Sequence, residues 1–539
     1  MRKIIAAILF IAVSIPLQAG AQESHPPKLV VNIVVSQMRY DYLTRFSHNF
    51  TEKGFRLMMD HGVNCTNARY DYMGNNTPAG LTTILSGTNP SGHGIVSDRW
   101  LNYTTNETVD VIADPNYYGL GTDGQYAPTQ LTASTIGDEI KRHSPESRVI
   151  SIALEPRSSV VGGGLTANAS YWFDAIRGNW STSTYYMDRL PNWVDQINLE
   201  RAVDSYNSRE WVLHLLPSKY VYQERSEIAS EADRKAWIFS LNRLFRRTEN
   251  EGYFKLPITP MGVDMMFDFV KKTIVYENLG KDKNPDLLTV TIDPLRYITE
   301  TYGTESMEAE DAVYRLDAGI GELIEFIGEQ VGREHVLFLL TSDHGSSDTH
   351  REAGRSPGGL FNVLQFKMLI NGFLNTQYGV DNWVVDYSNY NLYLNHRIVF
   401  EKRLNLGEMQ ASAAAFALQF RGVAHAITGT ALQNNHFSGG PLEKIQKGYY
   451  PKNSGDIIIN LMPGWIEEAE NKISLTGSMY EYDTHVPLLW YGAGLKREVI
   501  HTPVDITDVA PTLARILGVS RPNAATGQEI IPITGRFTR

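Results

Sequence analysis

One cysteine, Cys65, is all this chain carries, which excludes an internal disulfide framework even in an exported protein. It sits in Asn64-Cys65-Thr66-Asn67, not in a Cys-x-Pro-x-Arg setting, so the modified-cysteine chemistry of sulfatases is excluded as well. Beyond the first residues, no apolar run approaches the ~20 residues that a bilayer-spanning helix needs. Positive charge is also scarce. With 49 Lys and Arg against 60 Asp and Glu, the net charge is −11, which argues against nucleic acid or an anionic membrane as the main partner. Internal repeats are absent, and there is no low-complexity tract beyond the N-terminal segment.

That segment reads as a secretory signal over residues 1–21. Arg2 and Lys3 supply the positive start, Ile4 to Ile15 the apolar stretch, and Ala19-Gly20-Ala21 a small-residue cleavage site. The apolar stretch is too short for an anchor, and no cysteine follows the cleavage site to carry a lipid. The expectation is an exported protein, periplasmic or secreted, beginning near Gln22 and spanning 22–539 as one elaborated domain.

Six short apolar runs look like buried parallel strands: Leu29–Val35, Val149–Leu154, Leu287–Ile292, Val336–Leu340, Ile457–Leu461 and Val486–Trp490. Helical patterns lie between them, as in Glu308–Ile327, where Ala312, Leu316, Ile320, Leu323 and Ile327 recur at helical spacing. This alternation predicts an α/β fold with a doubly wound, mostly parallel sheet and helices on both faces. Ligands in such sheets bind beyond the carboxyl ends of the strands. Two stretches break the alternation. Residues 171–276, rich in Trp, Tyr and Asn, read as an inserted lobe, and residues 358–450 as a small α+β insertion with a strand at Asn391–Leu394 and an Ala-rich helix at Gly407–Phe420.

Three segments carry candidate chemistry. In Asn76-Thr77-Pro78-Ala79-Gly80, Thr77 reads either as a helix cap or as a nucleophile presented at a helix N-terminus. Asp343-His344-Gly345 follows a buried strand and offers the carboxylate and imidazole donors that a metal site uses. His485, in Asp483-Thr484-His485-Val486-Pro487-Leu488, reads as structural when taken alone.

Together, and in this order with Ser91-Gly92-His93-Gly94-Ile95 and Asp508-Val509-Ala510-Pro511-Thr512-Leu513, these segments resemble the threonine-nucleophile branch of the bacterial alkaline phosphatases. The resemblance runs from Leu29 to the C-terminal region. It implies two zinc ions clamping a phosphoryl group, with Thr77 as nucleophile, Asp343 and His344 at the nearer metal, and His485 at the other. Several positions depart from the family pattern. Ser36 stands in place of a metal-binding Asp, Arg296 and Glu300 in place of an Asp and a His of the second metal, Asp98 in place of an Asn, and Glu155 in place of a Lys, while Arg157 is kept.

A guanidinium at a metal position disfavours a dication there, so a two-zinc centre is not expected. One divalent cation, zinc, magnesium or calcium, is the remaining candidate at Asp343 and His344, with Ser36 as a neutral donor. Arg296 is expected either to fill the vacated position and pair with Glu155, Glu300 or Asp98, or to have drifted independently of them. Asp98 and Glu155 place negative charge where phosphoester oxygens would sit. The leading expectation is therefore a phosphatase-like exported protein with its hydrolytic site largely dismantled, binding a protein partner or a phosphate-like ligand. The alternative is an active phosphomonoesterase or phosphodiesterase that uses Thr77 with one metal, or with Arg157 and Arg296 as cationic stabilisers.

Overall fold

The computed structural model describes residues 26–222, 252–347, 358–469 and 472–537; the signal segment 1–21 lies outside the described residues. Five parallel strands form the centre of a ten-stranded sheet, in the order Val336–Thr341, Leu29–Val35, Asp286–Ile292, Val149–Ala153 and Ala169–Asp174. Every residue of Leu29–Val35 and of Asp286–Ile292 is buried. Leu29, Val31, Ile33 and Val35 enter one hydrophobic core, and Val30 and Val34 the core on the opposite face. Covering helices thus bury both faces, which is why these strands read as unbroken apolar runs. The helices Pro260–Tyr276 and Met307–Val331 contribute to the first core, and Thr77–Ser86 and Val509–Leu517 to the second.

Two predicted parallel strands are not parallel. The run expected at Val486–Trp490 forms Leu488–Gly492, antiparallel to Val336–Thr341. Ile457–Leu461 leaves the main sheet altogether for a four-stranded antiparallel one with Val384–Ser388, Asn391–Leu394 and Val423–Thr428. An apolar run reports burial, and burial is the same for either direction.

This smaller sheet, with the helices Val363–Tyr378 and Leu406–Ala417, forms a third hydrophobic core reaching past the expected end at 450 to Leu461 and Met479. The aromatic stretch at 171–276 begins inside the main sheet, where Tyr171 pairs with Ile152, and its last helix, Pro260–Tyr276, packs on the main core. Among the described residues no helix is long and apolar enough to cross a membrane.

The register aligns the carboxyl ends of the central strands, with Val35 opposite Ile292, Val34 opposite Thr341, and Thr291 opposite Ala153. The residues that follow, Ser36, Asp293, Asp343 and Glu155, therefore emerge along one edge.

Candidate active site

Thr77 is the first residue of the helix Thr77–Ser86, and the cap is Asn76, whose side chain accepts from the Ala79 N–H at 3.1 Å. The capping role expected for Thr77 thus belongs to its neighbour, and the Thr77 hydroxyl turns into the strand-end pocket instead. Gly80 allows the approach: a Cβ there would lie 2.0 Å from the Asp343 carbonyl oxygen. The helix is pressed against the Asp343 backbone as no larger residue would allow.

Four donor atoms meet around Thr77. Ser36 Oγ donates to Asp343 Oδ2 at 2.7 Å and lies 3.3 Å from Thr77 Oγ1. Thr77 Oγ1 is 3.3 Å from His344 Nε2, which lies 3.6 Å from Asp343 Oδ2. His344 Nδ1 faces the Gly345 carbonyl at 2.8 Å, so Nδ1 carries the proton and the Nε2 lone pair faces the threonine hydroxyl. Asp343 and His344 are fully buried. Gln37, left-handed at φ 65°, aims its N–H at Asp343 Oδ1 at 3.0 Å. A non-glycine residue in that region is strained, and its hydrogen bonds, including Nε2 to Ser346 Oγ at 2.7 Å, hold it there.

Arg296 closes the arrangement from the next strand end. Nη1 donates to Thr77 Oγ1 at 3.2 Å, and Nη2 to Glu155 Oε2 at 2.8 Å and to Tyr297 OH at 2.8 Å. Tyr297 OH in turn donates to the other Glu155 oxygen. The Arg296 and Glu155 side chains are only 13% and 21% exposed. Burial pushes the Glu155 carboxyl up, but Arg296 and the Tyr297 hydroxyl outweigh it and hold it below its ordinary value. The Arg296 guanidinium is held charged by Glu155 against its own burial.

Of the expected partners of Arg296, the structure provides Glu155. Glu300 is instead tied to Lys472 at 2.8 Å, and Asp98 shares no hydrogen bond with Arg296 among the described residues. Arg157 donates to Asp110 Oδ2 at 2.5 Å. Asp98 is half-buried near both arginines, and burial raises its carboxyl despite Arg157 and Arg296.

His485, expected at a second metal, faces elsewhere. Its ring stacks on Tyr40 with centroids 4.4 Å apart, Nε2 lies 3.0 Å from the Thr66 carbonyl oxygen, and Nδ1 lies 3.7 Å from Glu481. Nε2 is therefore the protonated nitrogen, committed to a carbonyl.

Sequence reasoning missed Asp293, Tyr297, Asp110 and Lys472. Asp293 could have been found, since it directly follows the Leu287–Ile292 run. It is fully buried, accepts from Ser158 Oγ at 2.6 Å and from the Glu155 N–H at 3.2 Å, and is raised to about 7 by burial and then by Glu155.

At the positions that the family resemblance gives to a second metal, this chain offers few donors. A guanidinium, a lysine-paired glutamate and an averted histidine stand where the second ion would need donors. Among the described residues no group of three His, Cys, Asp or Glu side chains is placed to hold a metal. A single cation fits better. Ser36 Oγ, Thr77 Oγ1, Asp343 Oδ2 and His344 Nε2 form a ring with neighbours 2.7–3.6 Å apart, and its carboxylate and imidazole are donors that would hold one divalent ion.

The fold is that of the alkaline phosphatases. The crystal structure of alkaline phosphatase PafA matches with a TM-score of 0.88 at 28% identity, covering 95% of this chain and 99% of that one. Murine ectonucleotide pyrophosphatase/phosphodiesterase 5 shares the fold at a TM-score of 0.51 and 13% identity, over 91% of this chain and 95% of its own. A Myroides odoratus protein named calcium-transporting ATPase is 31% identical over 532 residues, 95% of either chain. PafA of Elizabethkingia meningoseptica is 28% identical over 531 residues, covering 96% of this chain and 97% of its own. With residues 30–480 matching its pattern, the chain belongs to the type I phosphodiesterase / nucleotide pyrophosphatase family, on the threonine-nucleophile branch of the alkaline phosphatase superfamily.

Proposed function

We propose that this chain is an exported alkaline-phosphatase-like protein whose two-metal phosphoester-hydrolysis site is largely dismantled, and which works by binding a protein partner or a phosphate-like ligand. The Arg296 guanidinium carries this reading: it sits 3.2 Å from the Thr77 hydroxyl and is neutralised by Glu155. A metal lowers the pKa of bound water from ~16 to ~7, and an alkoxide from Thr77 needs help of that order. A hydrogen bond from an arginine already paired to a carboxylate supplies far less. Asp98 adds repulsion toward an incoming phosphoester.

Metal analysis of the purified protein, combined with a phosphomonoester and phosphodiester screen of wild type and Thr77→Ala, tests the reading. The expected outcome is no stoichiometric pair of zinc ions and no Thr77-dependent turnover. Two zinc ions per chain with turnover lost in the variant would overturn it.

The ring of Ser36, Thr77, Asp343 and His344 favours a second reading, a one-metal phosphomonoesterase or phosphodiesterase. A zinc, magnesium or calcium ion bound there would polarise the Thr77 hydroxyl. The chain's own residues would orient that hydroxyl through His344 Nε2, and Arg296 and Arg157 would meet developing negative charge. One ion per chain with Thr77-dependent hydrolysis is the outcome that selects it.

A further inference from the structure

The strand-end pocket holds more acid than base. Arg157 and Arg296 are already paired, with Asp110 and Glu155, and Asp98 and Asp293 are two further carboxyls near them. Ionised together, these six groups carry two more negative charges than positive ones. A dianion entering beside Arg296 would double that excess, where the Arg296 and Glu155 side chains are mostly buried. Releasing Arg296 as its counter-charge would strand Glu155, whose carboxylate Arg296 and Tyr297 hold between them. A proton taken up by one of the carboxyls is the smaller disturbance.

Asp293 is placed to take that proton. It is fully buried, and its carboxylate is held by neutral donors: Oδ1 accepts from Ser158 Oγ at 2.6 Å and Oδ2 from the Glu155 N–H at 3.2 Å. A serine hydroxyl accepts as well as donates. Protonated on Oδ1, the carboxyl donates to Ser158 Oγ while Oδ2 still accepts from Glu155, so neither bond is lost. Glu155, Arg296 and Tyr297 are the titratable and charged groups that act on it. Burial, and then Glu155, raises its carboxyl in spite of Arg296, and negative charge added beside Arg296 raises it further. Asp98 is only half-buried, so water screens its charge more fully, and Asp110 is committed to Arg157.

Resting on the reading of this pocket as the site of a phosphate-like ligand, we infer that the ligand binds together with one proton, which Asp293 takes up from solvent. Sulfate is the probe, because it stays a dianion from pH 5 to pH 9, whereas phosphate esters titrate near pH ~6. Titration calorimetry of the full chain at pH 8, in two buffers of different ionisation enthalpy, is expected to show about one proton taken up per sulfate bound. Sulfate affinity is expected to fall by up to about tenfold per pH unit above pH 7 and to level off toward pH 5. Asp293→Asn, which reproduces the protonated carboxyl, is expected to bind sulfate equally well across that range with no proton uptake, while Asp98→Asn keeps the uptake. The wild-type pH slope decides the linkage by itself should a variant fail to fold. Sulfate binding without proton uptake, uptake that persists in Asp293→Asn, or uptake that vanishes in Asp98→Asn would each overturn the inference and leave the ligand reading standing. Absence of sulfate binding at every pH would remove the phosphate-like ligand, and the inference with it.

Discussion

Arg296 and Glu155 exemplify two charges that each would be costly to bury and that together are tolerated. Desolvation of an isolated ion costs several kcal/mol, and good geometry with further hydrogen bonds offsets it. Here Tyr297 supplies those bonds, with its ring 4.5 Å beneath the guanidinium and its hydroxyl linked to both partners. Removing one partner strands the other. Arg296→Ala and Glu155→Ala are each expected to cost roughly 2–3 kcal/mol, and the double variant less than their sum by about 1–3 kcal/mol. Urea denaturation of the four proteins measures this, and additive effects would mean that the pair contributes nothing as a pair. Asp293 behaves oppositely. With its carboxyl raised from 3.8 to about 7, the folded chain keeps a proton that the unfolded chain releases between those values. Stability from this group therefore falls as pH rises through that window and levels off above it. Glu155, held below 4.5, contributes stability above that value and loses it as pH falls further. Asp293→Asn should flatten the decline of the urea midpoint between pH 4 and 7 relative to wild type; parallel curves would show that Asp293 does not titrate there. Asp343 and His344 were legible because they follow an apolar run at a strand end, and Thr77 because it opens an apolar helix, whereas Ser36 and Arg296 were singled out through the family resemblance alone. The partners of Arg157 and Glu300 were not legible. Asp110 lies 47 residues from Arg157, and Lys472 comes from a distant loop, so no local pattern announces either contact.

Helix and strand ends decide how these side chains are aimed. The helix Thr77–Ser86 begins with Asn76 as its cap, and this frees the neighbouring hydroxyl. Asn76→Ala should cost about 1 kcal/mol of stability, whereas Thr77→Ala should cost less through capping, since its side chain makes no cap bond. A larger loss of melting temperature from Thr77→Ala would contradict this division. Gly80 is the more sensitive position. Its absent Cβ leaves the Asp343 carbonyl in contact with the helix, so Gly80→Ala must displace one or the other, at about 1–3 kcal/mol. The central strands were legible because a run such as Leu29–Val35 is apolar on both faces. Strand direction was not, and Leu488–Gly492 and Ile457–Leu461 were misjudged for that reason. The orientation of His485 was not legible for a related reason: the sequence places it before a strand, but a stacked Tyr40 and the Thr66 carbonyl set how its ring is turned.

At the scale of the whole molecule, two of the three hydrophobic cores share the main sheet and must unfold together, while the third belongs to the four-stranded insertion. That insertion is fastened to the body by polar contacts beside a narrow apolar seam, where Tyr393 enters the second core and Tyr103 stacks on His396. Asn389 Nδ2 donates to the Gly74 and Val96 carbonyls at 3.2 and 3.0 Å, Asn453 Nδ2 donates to the Gly94 carbonyl at 2.7 Å, and Lys447 pairs with Asp71. Such bonds contribute about 1 kcal/mol each, against the extensive apolar burial that unites the two faces of the main sheet. The insertion should therefore open as a unit at lower free energy than the body. Native-state hydrogen exchange is expected to place the amides of Val423–Thr428 and Ile457–Leu461 in one cooperative group, exchanging before those of Leu29–Val35 and Asp286–Ile292. Asn389→Ala with Asn453→Ala should lower the first group further and leave the second nearly unchanged. Because Gly74, Gly94 and Val96 flank the Thr77 helix in the chain, the same double variant should also loosen the amides around Thr77. If both groups instead exchange at one free energy, the insertion is part of a single cooperative fold, and the polar fastenings are stronger than their number implies.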